Sequence, residues 1–276
     1  MSVASPSAPF ATKTVRGFTL RTDPAREACF EVVQTDAELR QWPDMSEESR
    51  RERLHRHMNN ELGSLEIAAQ TLADFPEAPW DLRLELARQC WDETRHVAVL
   101  YDRLLKVGGR KGEFAITNFE WGITCMLDSL AARLAVQNRT FEAGEMDFLA
   151  ELPAVWREAG DEETARVIEG ILSDEIQHVR FANRWVRRLV EGDRPLLLKV
   201  AQALSFLSEV TTAFAPRSGD VNAAGIPTTE IEARPPDINV DDRRRAEFTD
   251  EEIAVVLRRA GLGPLVPQGR GREGAR

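Results

Sequence analysis

Apolar residues recur along most of the chain at alternating steps of four and three, the spacing of a helix that buries one face. Leu54, Met58, Leu65, Ala68 and Leu72 mark a first helix over about residues 46–74, closed by Phe75-Pro76. Leu86, Cys90, Val97, Leu100, Leu104 and Val107 mark a second over about residues 79–107, which stops at Gly108-Gly109, a C-cap signal. After a loop to about residue 118, a third helix is predicted over residues 119–143. Residues 144–159 read as a broken or separate helical piece, because Pro153 disrupts a helix interior. Ile168, Leu172, Val179, Ala182, Val186 and Leu189 mark a fourth helix to about residue 191, with Asp161 as its N-cap. Pro195 opens a fifth, apolar helix to about Phe214. Aromatic residues make up only 7% of the chain, with a single Tyr, and β-branched runs are short. The expected fold is all-α, an antiparallel four-helix bundle with an additional fifth helix.

The body so defined covers residues 46–215. An N-terminal arm, residues 1–45, precedes it, and a C-terminal segment, residues 216–276, follows. Residues 216–245 are rich in Pro, Gly, Asp and Arg and read as an extended stretch lying on the body or partly disordered. Thr249-Asp-Glu-Glu252 is a capping box, and Ile253, Val256 and Leu257 behind it predict one short amphipathic helix. Gly261 ends that helix, and the Gly- and Arg-rich tail beyond is expected to be disordered.

Three acidic residues interrupt the apolar seams. Glu61, Glu93 and Glu175 each occupy a position where the periodicity calls for a buried side chain, and an unpaired charge there is very costly. Two of them open a repeated pattern. Asp92-Glu93-Thr94-Arg95-His96 and Asp174-Glu175-Ile176-Gln177-His178 each hold Glu-x-x-His with Asp in front, and the chain has only four histidines. Residues i and i+3 share a helix face, so each pair can offer one carboxylate and one imidazole to the same region. Glu61 stands about as far before the first turn as Glu93 stands after it, which brings them to one level in an antiparallel pair. Glu61 to Glu93 spans 32 residues, and a similar count back from Glu175 reaches Glu142, 33 residues earlier. Two helical hairpins of one plan thus supply Glu61, Glu93, His96, Glu142, Glu175 and His178. Four carboxylates and two imidazoles suit two adjacent ions, and iron or manganese better than zinc or copper.

The segments Asn60-Glu-Leu-Gly-Ser-Leu-Glu66, Phe141-Glu-Ala-Gly-Glu-Met-Asp147 and Asp174-Glu-Ile-Gln-His-Val179 carry a resemblance. The chain resembles the ferritin-like di-iron carboxylate superfamily, and within it a bacterial family of uncertain function related to di-iron tRNA hydroxylases and rubrerythrins. The resemblance covers about residues 45–190. It departs at Asn60, where the family often has His. It implies a ferritin-like bundle with two iron ions, a mixed manganese–iron pair being compatible with the same donors. It also implies an oxidase or oxygenase that activates dioxygen to oxidise a small organic substrate. A ferroxidase or iron-handling protein is the alternative.

Other residues leave choices open. Glu66 and Glu145 compete with Glu61 and Glu142 as ligands, although Glu66 is rotated from Glu61 by about 140° on a helix. Asp92 and Asp174 are either solvated or accept the free imidazole N–H of the histidine on the other helix, fixing its tautomer. His57, one turn before Glu61, is expected to be a partly exposed histidine near the site, and Tyr101 a packing residue. Ala131, Ala132, Ala135 and Asn138 either leave a substrate cavity or permit close helix packing.

Composition narrows the class. The chain has 276 residues, 42% of them hydrophobic, enough for a large core in one or two domains. No run reaches the roughly 18–20 consecutive apolar residues of a membrane span, so no membrane is expected. The first sixteen residues lack the apolar core of a secretory signal, and a cytoplasmic protein is expected. Cys29, Cys90 and Cys125 are odd in number and without Cys-x-x-Cys spacing, which excludes a disulfide framework and a rubredoxin-type centre. Electrons must then come from an external donor or the substrate. The net charge of −10 disfavours nucleic acid as a partner. A homodimer is the assembly this reading allows.

Overall fold

The structure, a computed structural model, describes residues 11–231 and 237–263. The expected disordered tail lies, beyond residue 263, outside the described residues. Four long rods of helix make the body, and the fold is all-α. Helix α1 (Glu47–Asp74) starts at Ser46, whose side chain accepts from the Ser49 N–H. Five residues on, α2 (Trp80–Lys106) runs back along it. The third rod is composite: α4 (Leu130–Val136), a π-helical turn (Gln137–Glu142) and α5 (Ala143–Glu158) follow one another without a gap. Helix α6 (Glu162–Val190), capped by Asp161 onto the Thr164 N–H, returns along α5 and faces α2. This arrangement is consistent with a ferritin-like bundle.

The third rod differs from the expectation in two ways. The break falls at residues 125–129, between a short helix α3 (Phe119–Thr124) and α4, rather than near Pro153. Arg133, 1% exposed, holds that break open. Its guanidinium donates to the carbonyls of Cys125 (3.2 Å) and Leu127 (3.0 Å) and pairs with Asp74 at 2.7 Å. Those carbonyls therefore need no helical N–H. Pro153 stays inside α5, buried beside Leu149 and Trp156 in one packed face. Its missing N–H forfeits one backbone bond, which burial of that face offsets. The alanines also resolve. Ala131, Ala132 and Ala135 are buried against the fifth helix, α7 (Arg194–Phe214), through Val200, Ala203, Leu207 and Val210. Small side chains there let two helices close up.

Helix α7 is by length and composition apolar enough to cross a bilayer, and 22% of its apolar stretch is buried. Lys199 and Glu209 interrupt it, and Leu197 and Leu198 on its outer face are exposed.

Both flanking segments dock. In the arm, β1 (Thr12–Val15) and β2 (Phe18–Arg21) form a hairpin over Arg16-Gly17, both at positive φ (49° and 89°), the turn that a right-twisted hairpin favours. Val32–Val33 (β3) pairs in parallel with Ile116–Thr117 (β4). On the C-terminal side, the expected extended stretch contains α8 (Thr228–Ile231) and α9 (Val240–Arg245). The predicted amphipathic helix is α10 (Asp250–Arg259), with its capping box formed at Thr249 and Glu252. Ala246, Phe248, Ile253 and Leu257 bury against Ala143, Met146, Ile176 and Val179. Arg243, 4% exposed, pairs with Asp147 at 2.6 Å and donates to the Ala143 carbonyl at 2.8 Å. The segment is therefore tied to the two helices that carry Glu142 and Glu175.

Candidate metal centre

Six buried ionisable side chains meet at mid-height of the bundle. Glu61 comes from α1, Glu93 and His96 from α2, Glu142 from the end of the π-helical turn, and Glu175 and His178 from α6. None is more than 2% exposed. Their donor atoms form two groups within 4.8 Å: Glu61, Glu93, His96 and Glu175, and Glu93, Glu142, Glu175 and His178. Glu93 and Glu175 belong to both. Nδ1 of His96 lies 3.2 Å from Glu61, 3.1 Å from Glu93 and 3.5 Å from Glu175. Nδ1 of His178 lies 3.2 Å from Glu175 and 3.4 Å from Glu93.

The opposite ring nitrogens turn outward to the aspartates. Nε2 of His96 is 3.2 Å from Asp174, and Nε2 of His178 is 3.4 Å from Asp92, so each aspartate serves the imidazole of the other helix. Nε2–H donating to Asp leaves the Nδ1 lone pair facing the glutamates, the tautomer a metal needs. Arg95 bridges the two aspartates, with Asp174 at 3.0 Å. Two amides hold the glutamates, Gln89 and Asn138, a role the sequence pattern did not assign to either. Gln89 donates to Glu142 (2.5 Å) and Glu93 (3.2 Å), and Asn138 donates to Glu142 at 2.7 Å. Each stands four residues before a glutamate on its own helical rod, a spacing that could have revealed it.

Of the competing acids, Glu66 is turned away and paired with Arg26 at 2.5 Å. Glu145 stays near, beside His57, whose side chain is 13% exposed and also reaches Glu61. Tyr101 packs with the lower core around Leu54 and Leu100.

Electrostatics describe a site short of positive charge. Burial and the crowding of neighbouring carboxylates push Glu93, Glu142 and Glu175 each up to about 8. Burial opposes the charge of His96, but Glu61 and Glu93 outweigh it and raise the ring to about 11. Burial likewise opposes ionisation of Glu61, which the imidazoles of His57 and His96 nonetheless hold well below the usual carboxylate range. Oε1 of Glu175 and Oε1 of Glu61 are buried without a hydrogen-bond partner. Orphaned carboxylate oxygens beside inward Nδ1 atoms fit divalent cations, which would replace the protons the cluster otherwise retains.

This gives an expected pH dependence for metal-stripped protein. Between about 4.5 and about 8 the folded chain keeps protons on Glu93, Glu142 and Glu175 that the unfolded chain has lost. The folded state binds more protons there, so its stability falls as pH rises through that window. Each proton of difference is worth about 1.4 kcal/mol per pH unit, roughly 2–4 °C of melting temperature in a domain this size. Thermal unfolding of stripped protein should show a lower melting temperature at pH 8 than at pH 5.5, with manganous ion restoring more at pH 8. A melting temperature that rises over this window would contradict a proton-loaded cluster.

A cavity of about 780 Å³ opens on the His57 and Glu145 side, walled by Phe141, Phe148, Leu149 and Trp156. A second of about 300 Å³ shares Arg56, Asn60 and Glu120 with it. Burial, with the charge of Glu145, pushes Glu120 up to about 8. Of the two readings of the alanines, close helix packing is the one observed, and the cavity lies on the α1–α5 side.

Fold and site together define an all-helical protein whose buried Glu and His groups can hold metal ions. Residues 7–254 match the family of proteins of unknown function DUF455, and the chain belongs to that family. Over 146 residues it is 32% identical to a 3-demethoxyubiquinol 3-hydroxylase of Azoarcus sp. (strain BH72), covering 49% of this chain and 64% of that protein. The match thus spans less than two thirds of the relative's length. No solved structure gives a significant match.

Proposed function

We propose that the protein is a non-haem di-iron oxygenase that oxidises a small organic substrate. The observation that carries this reading is the pair of overlapping donor groups sharing Glu93 and Glu175, set beside a substrate-sized cavity. Glu61 and His96 would hold one ion, Glu142 and His178 the other, and Glu93 and Glu175 would serve both. Bound there, an iron pair supplies dioxygen activation; each turnover that inserts one oxygen atom consumes two electrons and two protons from an external donor and releases water.

The chain's own residues do the rest. Asp92 and Asp174 orient the imidazoles through Nε2, and Gln89 and Asn138 hold Glu142 in place. Leu86, Leu100, Ile171 and Val179, all buried, keep bulk water from the cluster. Phe141, Phe148 and Trp156 offer apolar walls to a ring-sized substrate, and Glu120, kept protonated, offers it a hydrogen bond. The similarity to a hydroxylase supports an oxidoreductase, and a cavity for an organic molecule favours that over iron storage. A cytoplasmic setting and a separate reductase belong to the same reading.

The test is oxygen uptake by the ferrous-loaded protein in the presence of fractionated cell extract, with mass analysis of products. Substrate-dependent uptake and a product heavier by one oxygen atom are expected. Turnover of free ferrous ion into a mineral core would replace this reading with iron handling.

Gly144 gives a second check. A Cβ added at this position meets nothing within 4 Å, and Gly144 lines the cavity. Gly144→Leu should therefore extend into substrate space from a Cβ that is itself free of contacts, and should raise helix stability by up to about 1 kcal/mol. The expected result is a loss of about 10- to 100-fold in kcat/KM for a ring-sized substrate. The two inner ions should be retained and melting temperature should not fall. Unchanged kinetics would place the substrate elsewhere.

A further inference from the structure

Outside the inner cluster stands a second set of donors that the di-iron reading does not use. His57 lies one turn before Glu61 on α1, and Glu145 lies on α5. Nε2 of His57 is 2.8 Å from Oε1 of Glu61 and 3.5 Å from Oε1 of Glu145. One atom from each of the three falls within 4.8 Å of the others. Glu61 is therefore divided between two neighbourhoods. Its Oε2 faces Nδ1 of His96 in the inner cluster at 3.2 Å, while its Oε1 faces His57.

The close approach is an ion pair at 2.8 Å rather than an aligned hydrogen bond. Oε1 of Glu61 and Nε2 of His57 are both buried and both lack a hydrogen-bond partner, because the ring N–H does not line up on the oxygen. The Glu61 side chain is only 2% exposed, so water does not compensate its oxygen. A buried carboxylate oxygen without a donor is costly. An imidazole nitrogen and two carboxylate oxygens that converge without aligning as donor and acceptor are the surroundings of a cation with nitrogen and oxygen preference.

Position adds direction. His57 and Glu145 line the 780 Å³ cavity, whereas the inner six residues are sealed at no more than 2% exposure. We propose that His57, Glu61 and Glu145 form a third divalent-cation site at the cavity wall, which takes ferrous or manganous ion and hands it through Glu61 to the inner pair. Three protein donors leave the remaining coordination to cavity water, so the outer ion is the weakest held and the most exchangeable. The inference rests on the inner cluster being the metal centre.

The experiment is titration of metal-stripped full-length protein with manganous ion alone. Bound ions are counted by elemental analysis and placed by anomalous scattering from crystals. Wild type should take two ions tightly and a third more weakly, the third lying against His57 and Glu145. His57→Ala and the isosteric Glu145→Gln should each drop the count from three to two. Both should also slow the appearance of the coupled manganese pair in electron paramagnetic resonance. A wild-type count of two, with both variants filling at the wild-type rate, overturns the outer site and leaves the inner reading standing. A wild-type count of zero overturns both. Melting temperatures of the stripped variants show whether a lost ion reflects a lost fold, and Glu145→Asp, which restores a carboxylate, should restore the third ion.

Discussion

Glu175→Ala should leave the protein unable to hold either inner ion. Glu175 contributes to both donor groups, with Oε2 3.2 Å from Nδ1 of His178 and Oε1 3.5 Å from Nδ1 of His96. Removing it takes one carboxylate from each ion at once, whereas a change at Glu142 or Glu61 reaches only one inner group. Elemental analysis after anaerobic loading with ferrous ion should fall from two inner ions per chain to nearly none. Glu66→Ala, rotated by about 140° from Glu61 around α1 and paired with Arg26, should retain both. The loss at Glu175 should not come from unfolding. In the stripped protein Glu175 is a buried group crowded by Glu93 and pushed up to about 8, so Glu175→Gln, which keeps its volume, relieves that crowding at pH 8. A stripped Glu175→Gln protein with a melting temperature at or above wild type, and with weakened metal binding, is the expected pair of results. Retention of two tightly bound ions in Glu175→Ala would overturn the shared-carboxylate assignment.

The second large effect is expected one layer out. Asp92→Asn and Asp174→Asn remove the charge that holds each imidazole with its proton on Nε2 and its lone pair on the metal side. Partners of this kind typically govern about 10- to 100-fold in metal affinity or activity. Burial separates the two positions. The Asp92 side chain is 4% exposed and that of Asp174 is 22%, so water can replace part of what Asp174 does. Asp92→Asn should therefore weaken manganous-ion affinity more than Asp174→Asn, with circular dichroism unchanged in both. Isothermal titration measures this directly, and equal wild-type affinities in both variants would assign the aspartates to packing alone.

Much of this arrangement is visible in the chain because it is local. A glutamate and a histidine three residues apart share a helix face in any α-helix, and a four-and-three apolar period states which face is buried. Glu93, His96, Glu175 and His178 were readable on those grounds, as were the helix starts at Ser46 and Asp161 and the capping box at Thr249. Glu61 and Glu142 needed one further step, the equal spacing within two antiparallel hairpins. That step works because rise per residue is constant along a helix.

What the chain did not disclose depends on contacts between distant residues. The helix break at residues 125–129 exists because Arg133 claims the carbonyls of Cys125 and Leu127 and is itself neutralised by Asp74, 59 positions earlier. Pro153 survives inside α5 because its face is buried, which outweighs one lost backbone bond. The π-helical turn that ends at Glu142 shows no periodicity signal, since it inserts a register shift that only neighbouring helices reward. The C-terminal segment reads as loop by composition, yet Arg243 and Asp147 neutralise each other and let Phe248 and Leu257 bury. His57 and Glu145 lie on different helices 88 positions apart, and only packing brings them to one side of Glu61 and opens the cavity there. The sequence by itself therefore determined α1, α2, α6, α7 and α10 and which faces carry carboxylates and imidazoles, because both follow from short-range helical geometry. Tertiary structure alone decided where the third rod breaks, which face holds the cavity and which outer donors reach the cluster, because those depend on pairing charges and volumes between residues far apart in the chain.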